Sequence, residues 1–110
     1  MRGVVTNPFD AIIVGGGLSG LLVARELNVL KKSWKLLEAR PTVGGRLEND
    51  ASEHKIDLGG AWIWPQHHPH IKHLVKSLGI ETFSQPDDPS STRMNGGAVA
   101  LVERIVNELE

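Results

Sequence analysis

With 110 residues, 40% of them hydrophobic and 23% charged, the chain has the composition of one soluble globular domain, not of a disordered tail or a repeat array. Its formal charge of -1, from 12 Lys and Arg against 13 Asp and Glu, sets up no single-sign field that would draw it to nucleic acid or an anionic lipid surface. The lack of cysteine excludes disulfides, a thiolate metal site and a cofactor tethered through sulfur, and no apolar run approaches the roughly 20 residues of a membrane span.

Met1 to Asp10 lacks the apolar stretch of a signal peptide, so a soluble intracellular protein is the default expectation. The run from Phe9 to Val14 is short, branched and apolar and stops at three glycines, which predicts a buried parallel strand. From Leu18 to Leu30 the apolar positions Leu18, Leu22, Val23, Leu27 and Leu30 recur at helical spacing, with Arg25, Glu26, Lys31 and Lys32 outside them. Trp34 to Glu38 makes a second strand that ends in an acid. Strand, helix and strand in this order form the right-handed crossover unit of an α/β, doubly wound sheet.

Beyond it, Pro41 to Arg46 reads as a loop with paired glycines, and Leu47 to Leu58 as a polar surface excursion. Pro69 to Leu78 is predicted helical, with Ile71, Leu74, Val75 and Leu78 on one stripe, Pro69 in the first turn and Gly79 at the carboxyl-terminal cap. Gln85 to Arg93 carries two prolines, two aspartates and three Ser/Thr residues, the composition of a linker. A last amphipathic helix, about Ala98 to Leu109, places Leu101, Val102, Ile105, Val106 and Leu109 on one side. The expected organisation is a βαβ segment over 1–84, a linker over 85–92 and a helical segment over 93–110.

The chemistry sits in Gly15-Gly16-Gly17-Leu18-Ser19-Gly20, where Gly15, Gly17 and Gly20 have the G-x-G-x-x-G spacing. The first glycine permits the turn off the strand, the second lets backbone N–H groups approach a pyrophosphate, and the third lets helix and strand pack closely. Leu18 and Ser19 open the helix whose free N–H donors and dipole favour negative charge. Glu38 follows Gly20 by 18 residues, at the end of the second strand, where it can take both hydroxyls of an adenosine ribose. An acid at that point disfavours a ribose 2'-phosphate and so NADP. NAD and FAD both satisfy the pattern.

Three further motifs, Glu38-Ala39-Arg40, Val43-Gly44-Gly45-Arg46 and Asp57-Leu58-Gly59-Gly60-Ala61-Trp62, follow in an order and spacing that resemble the FAD-binding segment of the flavin amine oxidases, from about Phe9 to Phe83. The resemblance implies a partial Rossmann-like FAD-binding domain with non-covalent FAD. It assigns the pyrophosphate to Gly15, Gly17 and Gly20, the adenosine ribose to Glu38 and the adenosine end to Arg40. It also places Gly44, Gly45 and Arg46 beside the pyrophosphate and ribityl chain, and Gly59, Gly60, Ala61 and Trp62 against the isoalloxazine ring. Lys31 departs from the family, which more often has a glycine near the end of this first helix. Arg93-Met94-Asn95-Gly96-Gly97, with the helix after it, resembles the segment by which the family's chain returns to the FAD domain. On that match the chain is expected to be a truncated or internally deleted version whose last helix lacks the strand it would feed.

His67, His68, His70 and His73 crowd together, but no thiolate or close carboxylate completes a ligand set, so solvated loop histidines and no metal are expected. Trp64 reads as a core residue. No residue is identified as catalytic, and the family's substrate domain, aromatic cage and flavin-side lysine have no counterpart. The expectation is therefore an FAD-binding segment of an amine-oxidase-like oxidoreductase, taking an amine substrate only if the missing domain is supplied. The alternative is a non-catalytic dinucleotide-binding or interaction module.

Overall fold

A computed structural model describes residues 8–110. The first seven residues of the amino-terminal segment read above lie outside the described residues. In chain order the elements are β1 (Ala11–Val14), α1 (Leu18–Val29), β2 (Trp34–Leu37), β3 (Trp62–Ile63), α2 (Pro69–Ser77), β4 (Thr82–Ser84), β5 (Thr92–Met94) and α3 (Val99–Leu109). Strands β1 and β2 pair in parallel, Ala11 with Trp34 through Val14 with Leu37, and α1 makes the crossover between them. A separate antiparallel sheet runs in the order β3-β5-β4.

The β1–β2 pair is tied at its start by Asp10, whose carboxylate accepts hydrogen bonds from the Ser33 amide (2.8 Å) and the Ser33 hydroxyl (3.1 Å). Among the described residues, only one face of this sheet is covered. Ile13 and Leu36 turn towards α1 and the core, while Ile12, Val14 and Leu37 stay exposed, Val14 to 84%. The expectation of a fully buried first strand is corrected accordingly, because a two-stranded sheet with a helix on one side leaves its alternate residues on the other. Helix α1 is likewise turned from the expected stripe. Leu21 and Ala24 are buried in it, whereas Val23 and Leu30 are exposed.

The core lies where α1, α2 and α3 meet the second sheet: Leu21, Ile63, Leu74, Val75, Leu78, Ile80, Met94, Leu101, Val102 and Ile105 form one cluster. Helices α2 and α3 bury the faces read from their apolar spacing. Both α1 and α2 end in the same Schellman arrangement. At the end of α1 the Lys32 amide donates to Leu27 O and the Lys31 amide to Asn28 O; at the end of α2 the Ile80 amide donates to Val75 O and the Gly79 amide to Lys76 O. The pivotal residue is left-handed in both, Gly79 at φ 68 and Lys31 at φ 55. The departure from glycine at Lys31 thus falls on a position whose conformation favours glycine.

The segment expected to be a linker connects two strands of the second sheet. Residues 85–91 close a hairpin between β4 and β5, with the Gln85 amide donating to Ser91 O, and Thr92 and Arg93 belong to β5, so the helical part of 93–110 begins only at Val99. Prolines, aspartates and serines make tight turns as readily as linkers, and composition does not distinguish the two. Asp88 pins the loop by accepting from the Trp64 indole N–H (3.2 Å). Trp64, read as core, is instead at the surface.

Candidate functional site

Strand β1 delivers the chain to the glycine turn, where the Gly15 amide donates to Leu37 O of β2 (2.8 Å), so the turn begins level with the end of the second strand. Helix α1 starts at Leu18 with Gly17 as its N-cap, and no side chain caps its first amides. Those donors stay available to a ligand, and the helix dipole adds a partial positive charge there. Gly20 permits the closeness of helix to turn: a Cβ at this position would collide with the Gly15 carbonyl oxygen and press on Ile13.

The second glycine pair closes against the first. The Gly44 amide donates to Gly16 O (2.8 Å), and Gly17 and Gly44 form a parallel bridge. Between them opens a cleft of about 670 Å³, lined by Val14, Gly15, Gly17, Leu18, Ser19, Gly20, Arg40, Gly44, Gly45, Arg46, Leu47 and Gly60. Half of its lining residues are glycines. Arg40 and Arg46 are its charged side chains, and guanidinium groups present a planar fork of donors suited to phosphate oxygens.

Most residues singled out in the sequence therefore meet in one cleft, although they are spread from Gly15 to Gly60 along the chain. Glu38 is not a lining residue; it stands at the first position after β2, next to Leu37, whose carbonyl accepts from the Gly15 amide. Its Oε2 is buried and has no hydrogen-bond partner. Gly59, Ala61 and Trp62 do not line the cleft. Gly59 is packed behind Arg46, Ala61 is buried, and Trp62 faces a separate depression with Trp64, Gln85, Asp87 and Asp88.

Two wall residues, Val14 and Leu47, were not singled out in the sequence. Each directly adjoins a chosen motif, the one signal by which they could be found. Asp57 was quoted only as part of a motif, yet its side chain is 1% exposed and accepts from Arg93 Nη2 (2.7 Å) and the Ala98 amide (2.9 Å). The histidines at 67, 68, 70 and 73 are exposed, with His68 Nδ1 accepting from the Trp64 amide (3.4 Å). Among the described residues no group of three or more His, Cys, Asp or Glu is arranged to hold a metal ion, and no helix is long and apolar enough to cross a membrane.

Residues 13–78, which contain the glycine turn, β2, the second glycine pair and the wall residue Gly60, match the NAD(P)-binding Rossmann-like domain. The chain belongs to that family. Among curated proteins, this Rossmann-like chain is 42% identical over 77 residues to amine oxidase [flavin-containing] A of Bos taurus, a match covering 68% of the chain and 14% of the relative. It is 38% identical over 78 residues to (S)-6-hydroxynicotine oxidase of Paenarthrobacter nicotinovorans, covering 67% and 18%. Among solved structures it superposes on putrescine oxidase bound to putrescine with a TM-score of 0.64 at 36% identity, over 70% of the chain and 17% of the oxidase. Cyclohexylamine oxidase from Brevibacterium oxydans IH-35A gives 0.63 at 35% identity, over 70% and 18%. The Rossmann-like chain thus resembles the FAD-binding portion of flavin amine oxidases and spans less than a fifth of the length of each of these relatives.

Proposed function

We propose that the cleft binds FAD non-covalently and that the chain is the FAD-binding segment of an amine-oxidase-like oxidoreductase. The observation that carries this reading is Glu38 Oε2, buried without a partner on the residue that follows Leu37, whose carbonyl accepts from the Gly15 amide of the glycine turn. A buried acceptor left unpaired costs free energy that a ligand hydroxyl restores. The vicinal hydroxyls of an adenosine ribose are donors of the right kind, and a ribose 2'-phosphate would bring a second negative charge to the same carboxylate.

In this reading the amides opening α1, with Gly15, Gly17, Leu18, Ser19 and Gly20, hold the pyrophosphate. Arg40 serves the adenosine end, and Gly44, Gly45 and Arg46 flank the phosphates and ribityl chain. Gly59, Gly60, Ala61 and Trp62 lead to the isoalloxazine side, with Gly60 on the wall. When bound, FAD supplies the acceptor for a hydride from an amine, and the protein's part is to hold and orient it. The cleft supplies no histidine or carboxylate to act as a general base. That favours a second reading for the chain by itself, a non-catalytic dinucleotide-binding module.

Titration of the chain with FAD, ADP and NADP tests the first reading. FAD and ADP should bind in preference to NADP, and Glu38→Ala should weaken FAD by about 1.5 to 3 kcal/mol, the range for hydrogen bonds to a charged group. NADP binding as tight as FAD would overturn the assignment. Peroxide release with primary amines, polyamines and amino acids separates the two readings: none is expected from these residues, and sustained turnover would remove the non-catalytic one.

A further inference from the structure

We propose that Arg93 is a positioning residue for the cleft: it holds both ends of the arch Asp57–Trp62 and thereby sets the Gly60 part of the wall, against which the part of the ligand beyond ADP must lie. The inference rests on the dinucleotide reading of the cleft.

The arch leaves the surface excursion at Asp57 and enters β3 at Trp62. At its first end the Asp57 carboxylate is almost wholly buried and is shared between Arg93 Nη2 and the Ala98 amide at the start of α3. Gly97 makes room for it, since a Cβ there would stand 2.7 Å from Asp57 Oδ1. At its second end Trp62 is the direct register partner of Arg93 across β3 and β5, and the Arg93 guanidinium carbon lies 5.8 Å from the centroid of the Trp62 ring. One side chain thus grips the arch at both feet, by an ion pair and by a cation–π contact.

Between the feet, Gly59 rests on the Arg46 backbone and Gly60 on the Leu47 side chain. Gly60, Arg46 and Leu47 are all wall residues. The ADP half of a dinucleotide is served mainly by the glycine turn, the start of α1 and Glu38, elements that precede the arch in the chain. A displacement of the arch reaches the wall through Gly60, Arg46 and Leu47, of which only Arg46 also flanks the phosphates that ADP shares with FAD. Binding of FAD should therefore respond to Arg93 more strongly than binding of ADP.

The experiment measures the affinity of the chain for FAD and for ADP, with a melting curve for each variant. Arg93→Met removes both grips. It should lower the ratio of FAD to ADP affinity about tenfold, the loss of one good interaction, by weakening FAD more than ADP. Arg93→Lys keeps the charge opposite Asp57 but lacks the planar fork, and should restore part of the ratio. A purely structural role would weaken both ligands together and leave the ratio unchanged. If Arg93→Met fails to fold, Arg93→Lys and Asp57→Asn decide. An unchanged ratio in every variant that melts cooperatively overturns the proposal, as does wild-type protein that binds ADP as tightly as FAD. Wild-type protein that binds neither overturns the dinucleotide reading itself, and this inference with it.

Discussion

Gly59 packs on the backbone of Arg46 so closely that a Cβ at position 59 would overlap the Arg46 carbonyl oxygen. Backbone cannot swing aside as the end of a side chain does, so Gly59→Ala must push the arch away from the second glycine loop. The expected cost is about 1 to 3 kcal/mol of stability, the range for overpacking, together with weaker FAD binding. Urea unfolding followed by tryptophan emission measures the first and flavin titration the second. A variant as stable as wild type would show that the two segments do not meet in solution.

The two Schellman ends offer a matched pair of substitutions. Lys31→Gly should relieve the left-handed strain at the end of α1 and raise stability by about 0.5 to 1 kcal/mol, while Gly79→Lys should impose the same strain on α2 and lower it comparably. Midpoints from thermal or urea melts of the two single variants check the signs. Equal midpoints for Lys31→Gly and wild type would contradict the account of α1.

Ile105 on α3 is fully buried in the main cluster, and the same helix carries Glu108, 2.6 Å from Arg25 Nε of α1. Removing the apolar contact should cost far more than removing the ion pair. Ile105→Ala is expected to lose about 2 to 5 kcal/mol. Glu108→Gln should lose only about 0.2 to 1 kcal/mol, because both partners are substantially solvated. Denaturant melts of the two variants test the ranking, and a larger loss for Glu108→Gln would reverse it.

Asp10 provides the pH dependence. Its carboxyl is held below the ordinary value of 3.8, first by the Ser33 backbone amide and then by the Ser33 hydroxyl. A carboxylate whose value is lowered by folding contributes stability above pH 3.8, and that contribution fades as pH falls through the lower, folded value. Asp10→Asn should therefore reduce the acid sensitivity of unfolding in that window. Melting curves from pH 6 down to about 3 compare the two proteins, and parallel curves would exclude this role for Asp10.

Local signals explain what could be read from the chain. The run ending at Val14, the spacing of Gly15, Gly17 and Gly20, and the acid at Glu38 each depend on near neighbours, and together they lead to the parallel pair and the cleft. The second sheet was not legible. Its strands are as short as Trp62–Ile63, too short to show alternation, and its central strand pairs Arg93 with the distant Trp62. Asp57 was opaque for the same reason, since its burial exists only once β5 and α3 have folded onto the arch. Trp64 misled because a large aromatic side chain suggests core, whereas here its indole N–H serves the Asp88 loop at the surface.

The uncovered face of β1 and β2 gives the chain the character of an amphiphile. Ile12, Val14 and Leu37 present branched hydrocarbon to water on one side, while the charged side chains keep the rest hydrated. Salts that raise the cost of wetting hydrocarbon, such as sulfate, should salt the protein out at lower concentration than a chain of equal size and charge with that face covered. The response to Val14→Thr, which leaves the backbone pairing in place, would show how much of its solubility is governed by the hydrocarbon beside the glycine turn.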